Sequence, residues 1–245
     1  MLVLATDLDG TFLGGSDEDR QQLYRLIQEH PSIRLVFVTG RGVDSVVSLL
    51  NDPRIPTPDF IIGDVGATVV DGLTLEPVQP LQAEIEQLWP GSLVVGNKLK
   101  DIPGLQLQRV PMNRRSSYFY SDHTDMEQLQ LSADALGCDV VVSAGKYIDV
   151  LPPGINKGST FRKLVKLLGV KEDDILVAGD TLNDLSLFRT GYKGVVVGEA
   201  EPALIEATVD QEHIYHAASA GCGGILEAFK SLGIFTKYDL ALTWN

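Results

Sequence analysis

Leu2-Val3-Leu4-Ala5-Thr6-Asp7-Leu8-Asp9-Gly10-Thr11 opens the chain as an apolar run that gives way to two aspartates one residue apart, then to a Gly-Thr turn. The run reads as a buried strand, and its end presents both carboxylates beside a turn where backbone approaches a ligand. Two like charges so close repel and are costly to desolvate together, so the pair calls for a cation. One of the two also has the chemistry of a nucleophile. Taken alone, the stretch is better read as an ordinary strand-ending Asp turn. The remainder of the chain decides between these readings.

Working outward, short apolar strands alternate with amphipathic helices. Ser16 caps a helix whose first turn is Asp17-Glu18-Asp19, with Leu23, Leu26 and Ile27 on one face. A strand from Ile33 to Val38 stops at Thr39-Gly40-Arg41, and Val43, Val46, Val47 and Leu50 follow at helical spacing. Pro53 to Pro58 breaks the chain before a strand at Phe60-Ile61-Ile62. Such repeated strand–helix units with near-continuous apolar strands predict an α/β fold: a Rossmann-like parallel sheet covered on both faces.

From about Leu73 to Pro153 the texture changes. An acidic helix around Glu84-Ile85-Glu86 ends before Pro90-Gly91. Strand-like runs follow at Leu105 to Val110 and Ser116 to Tyr120, then a helix from Asp125 to Leu136 and strands at Asp139 to Ser143 and Tyr147 to Leu151. This is a small α/β insert closed by Pro152-Pro153-Gly154. The parallel pattern resumes with a helix from Gly158 to Leu168, stopped by Gly169, and a strand at Ile175 to Ala178. The expected division is therefore a core of residues 1–73 and 154–245 with an insert at 74–153. Lys237 to Asn245 carries no pattern and reads as a tail or linker.

The chain has 245 residues, 44% hydrophobic and 22% charged, with a net charge of −13. No basic stripe exists, which excludes nucleic acid and anionic membrane surfaces as expected partners. Acidity also repels a phosphorylated substrate at long range, so local cations or a bound metal must overcome that field at the site. Apolar runs are strand-sized, and Met1-Leu2-Val3-Leu4 has no basic region or cleavage site, so neither a spanning helix nor a secretory signal is expected. Cys138 and Cys222, the two cysteines, fit small buried hydrophobes in a reducing cytoplasm. The acidic surface favours a soluble monomer.

Three further clusters fall where predicted core strands end, the place where such sheets bind ligands. Thr39-Gly40-Arg41 offers a hydroxyl and an adjacent amide suited to a phosphate oxygen. Lys157, in Asn156-Lys157-Gly158, opens a helix, where its sign opposes the dipole; the placement makes sense if the ammonium faces an anion or a carboxylate. In Gly179-Asp180-Thr181-Leu182-Asn183-Asp184, carboxylates can complete an oxygen set for a hard cation together with Asp7 and Asp9. Plain turns, an exposed Lys and an N-cap Asp each explain one cluster but not their combination.

In order, Asp7-x-Asp9-Gly10-Thr11, Thr39-Gly40-Arg41, Lys157 and Gly179-Asp180-x-x-Asn183-Asp184 resemble the haloacid dehalogenase (HAD) superfamily of phosphohydrolases, over the whole chain. That resemblance implies that Asp7 is a nucleophile forming an aspartyl-phosphate and that Asp9 is the general acid–base. It implies Mg²⁺ held by Asp7, the backbone carbonyl of Asp9, and Asp180. Thr39, Gly40 and Lys157 would hold the phosphoryl oxygens, and Asn183 and Asp184 would orient the metal shell and Lys157.

The insert is similar to the C2-type cap of that superfamily, which selects the leaving group. Pro58-Asp59-Phe60-Ile61-Ile62-Gly63-Asp64-Val65-Gly66, Asp149-Val150-Leu151-Pro152 and Tyr215-His216-Ala217-Ala218-Ser219 are similar to the sucrose-phosphate phosphatase group. The implied reaction is hydrolysis of a sugar phosphate in the cytoplasm, with sucrose 6-phosphate first in line. Glucosylglycerol phosphate, mannosylfructose phosphate, a glycosyl-phosphoglycerate and a hexose phosphate are the other esters of interest.

Sugar hydroxyls need hydrogen-bonding partners and sugar faces pack on aromatics, which singles out Arg115, Ser117, Tyr118 and Lys146 in the cap. Strand packing explains Tyr118 and Tyr120 as well. Arg115 stands where sucrose phosphatases tend to carry Lys in a Lys-x-Ser-aromatic stretch, an exchange that is not neutral. A non-catalytic, phosphatase-like partner of a glycosyltransferase is the reading from a different class. Intact Asp7, Asp9, Lys157 and Asp180 speak against it, though a glycosyltransferase of the same pathway remains an expected partner.

Overall fold

Every residue of β1 (Leu2–Thr6) is buried. A strand apolar on both faces belongs inside a parallel sheet with helices on each side. β1 lies there in the computed structural model, which describes residues 1–110, 114–143 and 145–240. α1 (Asp17–Glu29) leads to β2 (Ile33–Val38), and α2 (Val43–Leu49) to β3 (Phe60–Gly63). β4 (Thr68–Asp71) turns back antiparallel to β3 at the sheet edge. Next come α3 (Leu81–Gln87), α4 (Ser92–Leu99), β5 (Gln106–Leu107), β6 (Ser116–Phe119), α5 (Met126–Asp134), β7 (Asp139–Ser143) and β8 (Tyr147–Leu151). The chain re-enters the large sheet through α6 (Lys157–Leu168), β9 (Ile175–Gly179), α7 (Leu185–Phe188), β10 (Lys193–Gly198) and α8 (Pro202–Thr208). It finishes with β11 (Ile214–Ala220), α9 (Gly221–Ser231) and α10 (Ile234–Lys237).

The large sheet runs β11-β10-β9-β1-β2-β3-β4. Thr6 on β1 is level with Phe37 on β2 and with Ala178 on β9. The chain progresses outward from β1 on one side and from β9 on the other, so the loops after β1, β2 and β9 meet in one crevice at the switch point. Strand period two sorts the core into two layers. Leu2, Leu4, Leu26, Phe37 and Phe229 pack on one face; Val3, Ala5, Val36, Phe161 and Val177 pack on the other.

A second sheet, β5-β6-β8-β7, has its own core of Val95, Leu99, Tyr118, Leu129, Ile148 and Val150 beneath α4 and α5. Leu81 and Ile85 of α3 instead pack with Ile62 and Val69 of the large sheet. The α/β architecture with a smaller cap is thus as expected.

Several local details differ from the expectation. The strand read over Leu105 to Val110 is reduced to Gln106 and Leu107, both exposed on a cap edge, with one more bond from Gln108 N to Ser117 O on β6. α4 (Ser92–Leu99) falls in a stretch where the sequence predicts no element, and Val95 and Leu99 anchor it to the cap core. α10 ends at Lys237, the first residue of the stretch read as a tail, and Leu240 is buried; the last five positions, 241–245, lie outside the described residues. Among the described residues, no helix is long and apolar enough to cross a membrane.

Candidate active site

At the end of β1 the chain leaves the sheet with Asp7 N donating to Ala178 O on β9 at 3.0 Å. Across from it, Asn156 caps α6: its side chain accepts from Ser159 N at 2.8 Å, and Ser159 Oγ accepts from Asn156 N at 3.0 Å. That cap fixes Lys157 at the first helical position with no solvent exposure. Its ammonium donates to Asp7 Oδ1 and to Asp184 Oδ1, both at 2.6 Å. The wrong sign for the helix dipole is offset by two carboxylates. Burial pushes Lys157 down, but Asp184 and Asp7 outweigh it and hold the ammonium protonated.

Asp184 is equally enclosed. Its second oxygen accepts from Asp180 N and Thr181 N, both at 3.1 Å, which closes the turn after β9. Asp180 completes the acidic side, with Thr11 Oγ1 donating to its Oδ1 at 2.7 Å. Gly10 makes room for it: at φ +81 a Cβ there would lie 2.0 Å from Asp180 Oδ2. Three carboxylates share one ammonium, leaving excess negative charge in a buried space. Burial therefore pushes Asp7 up to about 8, with Asp184 and Asp180 adding to the rise and Lys157 opposing it. Burial and Asp184 push Asp180 up to about 6.

The donor set fits Mg²⁺. Oxygen atoms from Asp7, Asp180 and Asp184 lie within 4.8 Å of one another. Asn183 Oδ1, on the residue before Asp184, is buried with no hydrogen-bond partner among the described residues. Hard oxygen donors, surplus negative charge and an orphaned carbonyl oxygen suit a small divalent cation. Asp184 is already occupied by Lys157 and two amides, which leaves Asp7, Asp180 and Asn183 as the side chains that would hold it.

Asp9, expected beside Asp7, points its carboxylate elsewhere. Arg41 clamps it with two bonds, Nε to Oδ2 at 2.8 Å and Nη2 to Oδ1 at 2.5 Å. The Asp9 side chain is 61% exposed, at the rim of the crevice. Thr39 is buried, and its hydroxyl accepts from Arg41 N at 3.1 Å, which shapes the loop after β2. Gly40 lines the crevice, and its amide donates to no acceptor among the described residues.

The cap closes a cavity of 460 Å³ over this floor. Asp7, Asp9, Gly40, Arg41, Thr181 and Asn183 line it from the core, and Gln108, Arg115, Ser117, Ser143, Tyr147 and Asp149 from the cap. Of the four cap residues expected near a sugar, Arg115 and Ser117 are there. The guanidinium of Arg115 is taken up by protein acceptors: Nη1 donates to Asp149 Oδ1 and Nη2 to Gly40 O, each at 2.8 Å. Ser117 Oγ donates to the same Asp149 oxygen.

Tyr118, the next residue on β6, faces the opposite way into the cap core, as strand alternation requires. Lys146 is exposed, with Nζ 4.8 Å over the ring of Tyr147, and does not line the cavity. Asp149 and Asp64 went unassigned in the sequence although both stand in quoted segments. Gln108, Ser143 and Tyr147 carry no motif that would mark them.

Comparison with known proteins agrees with this geometry. The sucrose-6F-phosphate phosphohydrolase family profile matches residues 1–233. The chain is 49% identical over 241 residues to a glucosylglycerol-phosphate synthase from Pseudomonas anguilliseptica, covering 98% of this chain and 32% of that one. It therefore spans about a third of that relative's length. It is 28% identical over 248 residues to mannosylfructose-phosphate phosphatase from Agrobacterium fabrum, covering 95% and 97% of the two chains. The sucrose-phosphatase of Synechocystis, solved with sucrose and phosphate, superposes with a TM-score of 0.83 at 25% identity, over 95% of this chain and 98% of that one. With a buried lysine between two aspartates, a matching two-sheet fold and a profile spanning almost the whole chain, the protein belongs to the sucrose-6F-phosphate phosphohydrolase family of HAD phosphatases.

Proposed function

We propose that the chain hydrolyses the phosphate ester of a glycosylated polyol, with glucosylglycerol phosphate as substrate. The 49% identity to a glucosylglycerol-phosphate synthase carries that choice, since the sucrose- and mannosylfructose-phosphate enzymes are near 28%. A cavity of 460 Å³ suits a glycoside of that size. A glycosyl-transfer step that makes this ester would supply the substrate.

Chemistry follows from the residues on the cavity floor. Asp7 has one oxygen on Lys157 and a second with no hydrogen bond among the described residues, and this second oxygen attacks phosphorus to form an aspartyl-phosphate as the bond to the leaving oxygen breaks. Asp9 gives that oxygen its proton, so the glycoside leaves as an alcohol, and Asp9 must first loosen from Arg41 to do so. Asp9 then takes a proton from water as the water attacks phosphorus, releasing inorganic phosphate and restoring Asp7. Lys157, the Thr39 hydroxyl and the Gly40 amide hold the phosphoryl oxygens. Mg²⁺, bound by Asp7, Asp180 and Asn183, would neutralise phosphate charge against the acidic floor.

Comparison of kcat/KM for glucosylglycerol phosphate, sucrose 6-phosphate, mannosylfructose phosphate and glucose 6-phosphate tests the reading. Glucosylglycerol phosphate should lead by about tenfold or more, the scale that a few leaving-group contacts provide. If sucrose 6-phosphate leads, the second reading holds. It is the reading favoured by the fold match to the sucrose-phosphatase of Synechocystis.

A further inference from the structure

Arg115 enters β6 on the cap, yet two of its contacts are to the core. Nη2 donates to the Gly40 carbonyl in the loop after β2, and Nε lies 3.1 Å from Asp64 Oδ1 just beyond β3. Asp64 has no solvent exposure, and neither its Oδ1 nor Arg115 Nε has any hydrogen-bond partner among the described residues. Charge attraction across that gap is what those two atoms receive, while Asp64 Oδ2 accepts from Thr68 Oγ1 at 2.7 Å. Nη1 holds Asp149 Oδ1 on the neighbouring cap strand, and Ser117 holds the same oxygen. Asp149 Oδ2 takes no partner among the described residues, and Asp149 lines the cavity.

We propose that Arg115 is a positioning residue that ties the cap to the phosphoryl-holding loop through Gly40 and Asp64, and in the same act aims Asp149 at the leaving group. It completes the closed site without touching the reacting atoms. Opening the cap parts Arg115 from Asp64 and leaves that buried carboxylate with the Thr68 hydroxyl but without its ion pair, so closure is favoured. Because Gly40 and Asp149 share one rigid guanidinium, the position of the phosphate loop and that of the sugar-facing carboxylate are set together. A lysine has one point charge and cannot reach the three acceptors in their three directions. The proposal rests on the phosphatase reading for the roles of Gly40 and the cavity.

The test compares Arg115→Lys, Arg115→Met, Asp64→Asn and the double variant Arg115→Met/Asp64→Asn by hydrogen exchange without substrate. Steady-state kinetics then follow on glucosylglycerol phosphate and on p-nitrophenyl phosphate, which offers Asp149 no hydroxyl. Arg115→Met should speed exchange about tenfold or more in residues 39–42 and in β6 and β8, with β1 and β9 unchanged. It should lower kcat for both esters, through the phosphate loop, and by a larger factor for glucosylglycerol phosphate, whose hydroxyls Asp149 faces. Arg115→Lys should restore part of the loss. The double variant should exchange more slowly than Arg115→Met, because no uncompensated carboxylate is left behind.

Unchanged exchange, with a loss confined to KM for glucosylglycerol phosphate, overturns the proposal and makes Arg115 a sugar-binding residue. Faster exchange spread equally through β1 and β9 also overturns it, as a general structural effect. Should Arg115→Met not fold, Arg115→Lys and the double variant carry the comparison. Exchange needs no substrate, so a wild-type protein inactive on both esters refutes the phosphatase reading while exchange still decides the role of Arg115.

Discussion

Lys157 Nζ stands 2.6 Å from Asp7 Oδ1, and the same nitrogen stands 2.6 Å from Asp184, so one ammonium holds Asp7 at the end of β1 and the turn after β9 in a single buried cluster. Lys157→Met removes the cation and leaves both carboxylates enclosed. The variant should lose about 3–5 kcal/mol of stability, the cost of breaking a buried pair from one side. Urea denaturation of the metal-free protein checks this; a loss below about 1 kcal/mol, the range of surface pairs, would count against the cluster's role.

Metal affinity should depend on pH with a definite sign. Burial holds Asp7 near 8 and Asp180 near 6 in the metal-free protein, so both carry protons at acidic pH that a metal must displace. Mg²⁺ should therefore bind more tightly as pH rises from 5.5 to 8, releasing protons. Calorimetry in two buffers of different ionisation enthalpy measures that release directly. Buffer-independent heats and a flat affinity would sink the assignment of Asp7 and Asp180 as ligands.

Gly10→Ala probes how tightly the turn after β1 is packed on Asp180. The added Cβ meets Asp180 Oδ2 at 2.0 Å and sits at φ +81, so either the carboxylate or the turn must move. Weaker Mg²⁺ binding by about tenfold and a lower Tm are expected together. A Tm shift with unaltered affinity would show that Asp180 does not reach the metal.

Away from the site, Glu227 makes a separate pH prediction. Burial would raise it, but Ala218 N, Ser219 N and the Tyr215 hydroxyl bond its carboxylate and hold it at about 2, below its ordinary 4.5. A depressed folded-state value means the stabilisation is present above about pH 4.5 and is lost as pH falls from there to about 2. Wild type minus Glu227→Gln, followed by thermal denaturation, should shrink over that window. A constant difference would contradict it.

Much of the core was legible because its chemistry is local in sequence. Asp7, Asp9, Thr39, Gly40, Lys157, Asp180, Asn183 and Asp184 each follow a strand or open a helix, and parallel pairing at Thr6, Phe37 and Ala178 brings those ends together. The cap was less legible. Ser117 and Tyr118 are adjacent and equally suited to a sugar by type, but only pairing of β6 with β8 fixes which one faces the crevice. Arg115 was visible as a candidate but its partners were not, because Gly40, Asp64 and Asp149 come from three distant segments. The clamp of Arg41 on Asp9 was hidden for the same reason.

Asp7→Asn tests the proposed chemistry most directly, because amide nitrogen and oxygen keep the shape of the carboxylate while removing its nucleophilicity. Phosphate release from glucosylglycerol phosphate, with Mg²⁺ present, should fall by about 10⁴-fold or more, in line with loss of a covalent nucleophile, while the denaturation curve remains cooperative. Turnover within about tenfold of wild type would contradict Asp7 as the attacking group.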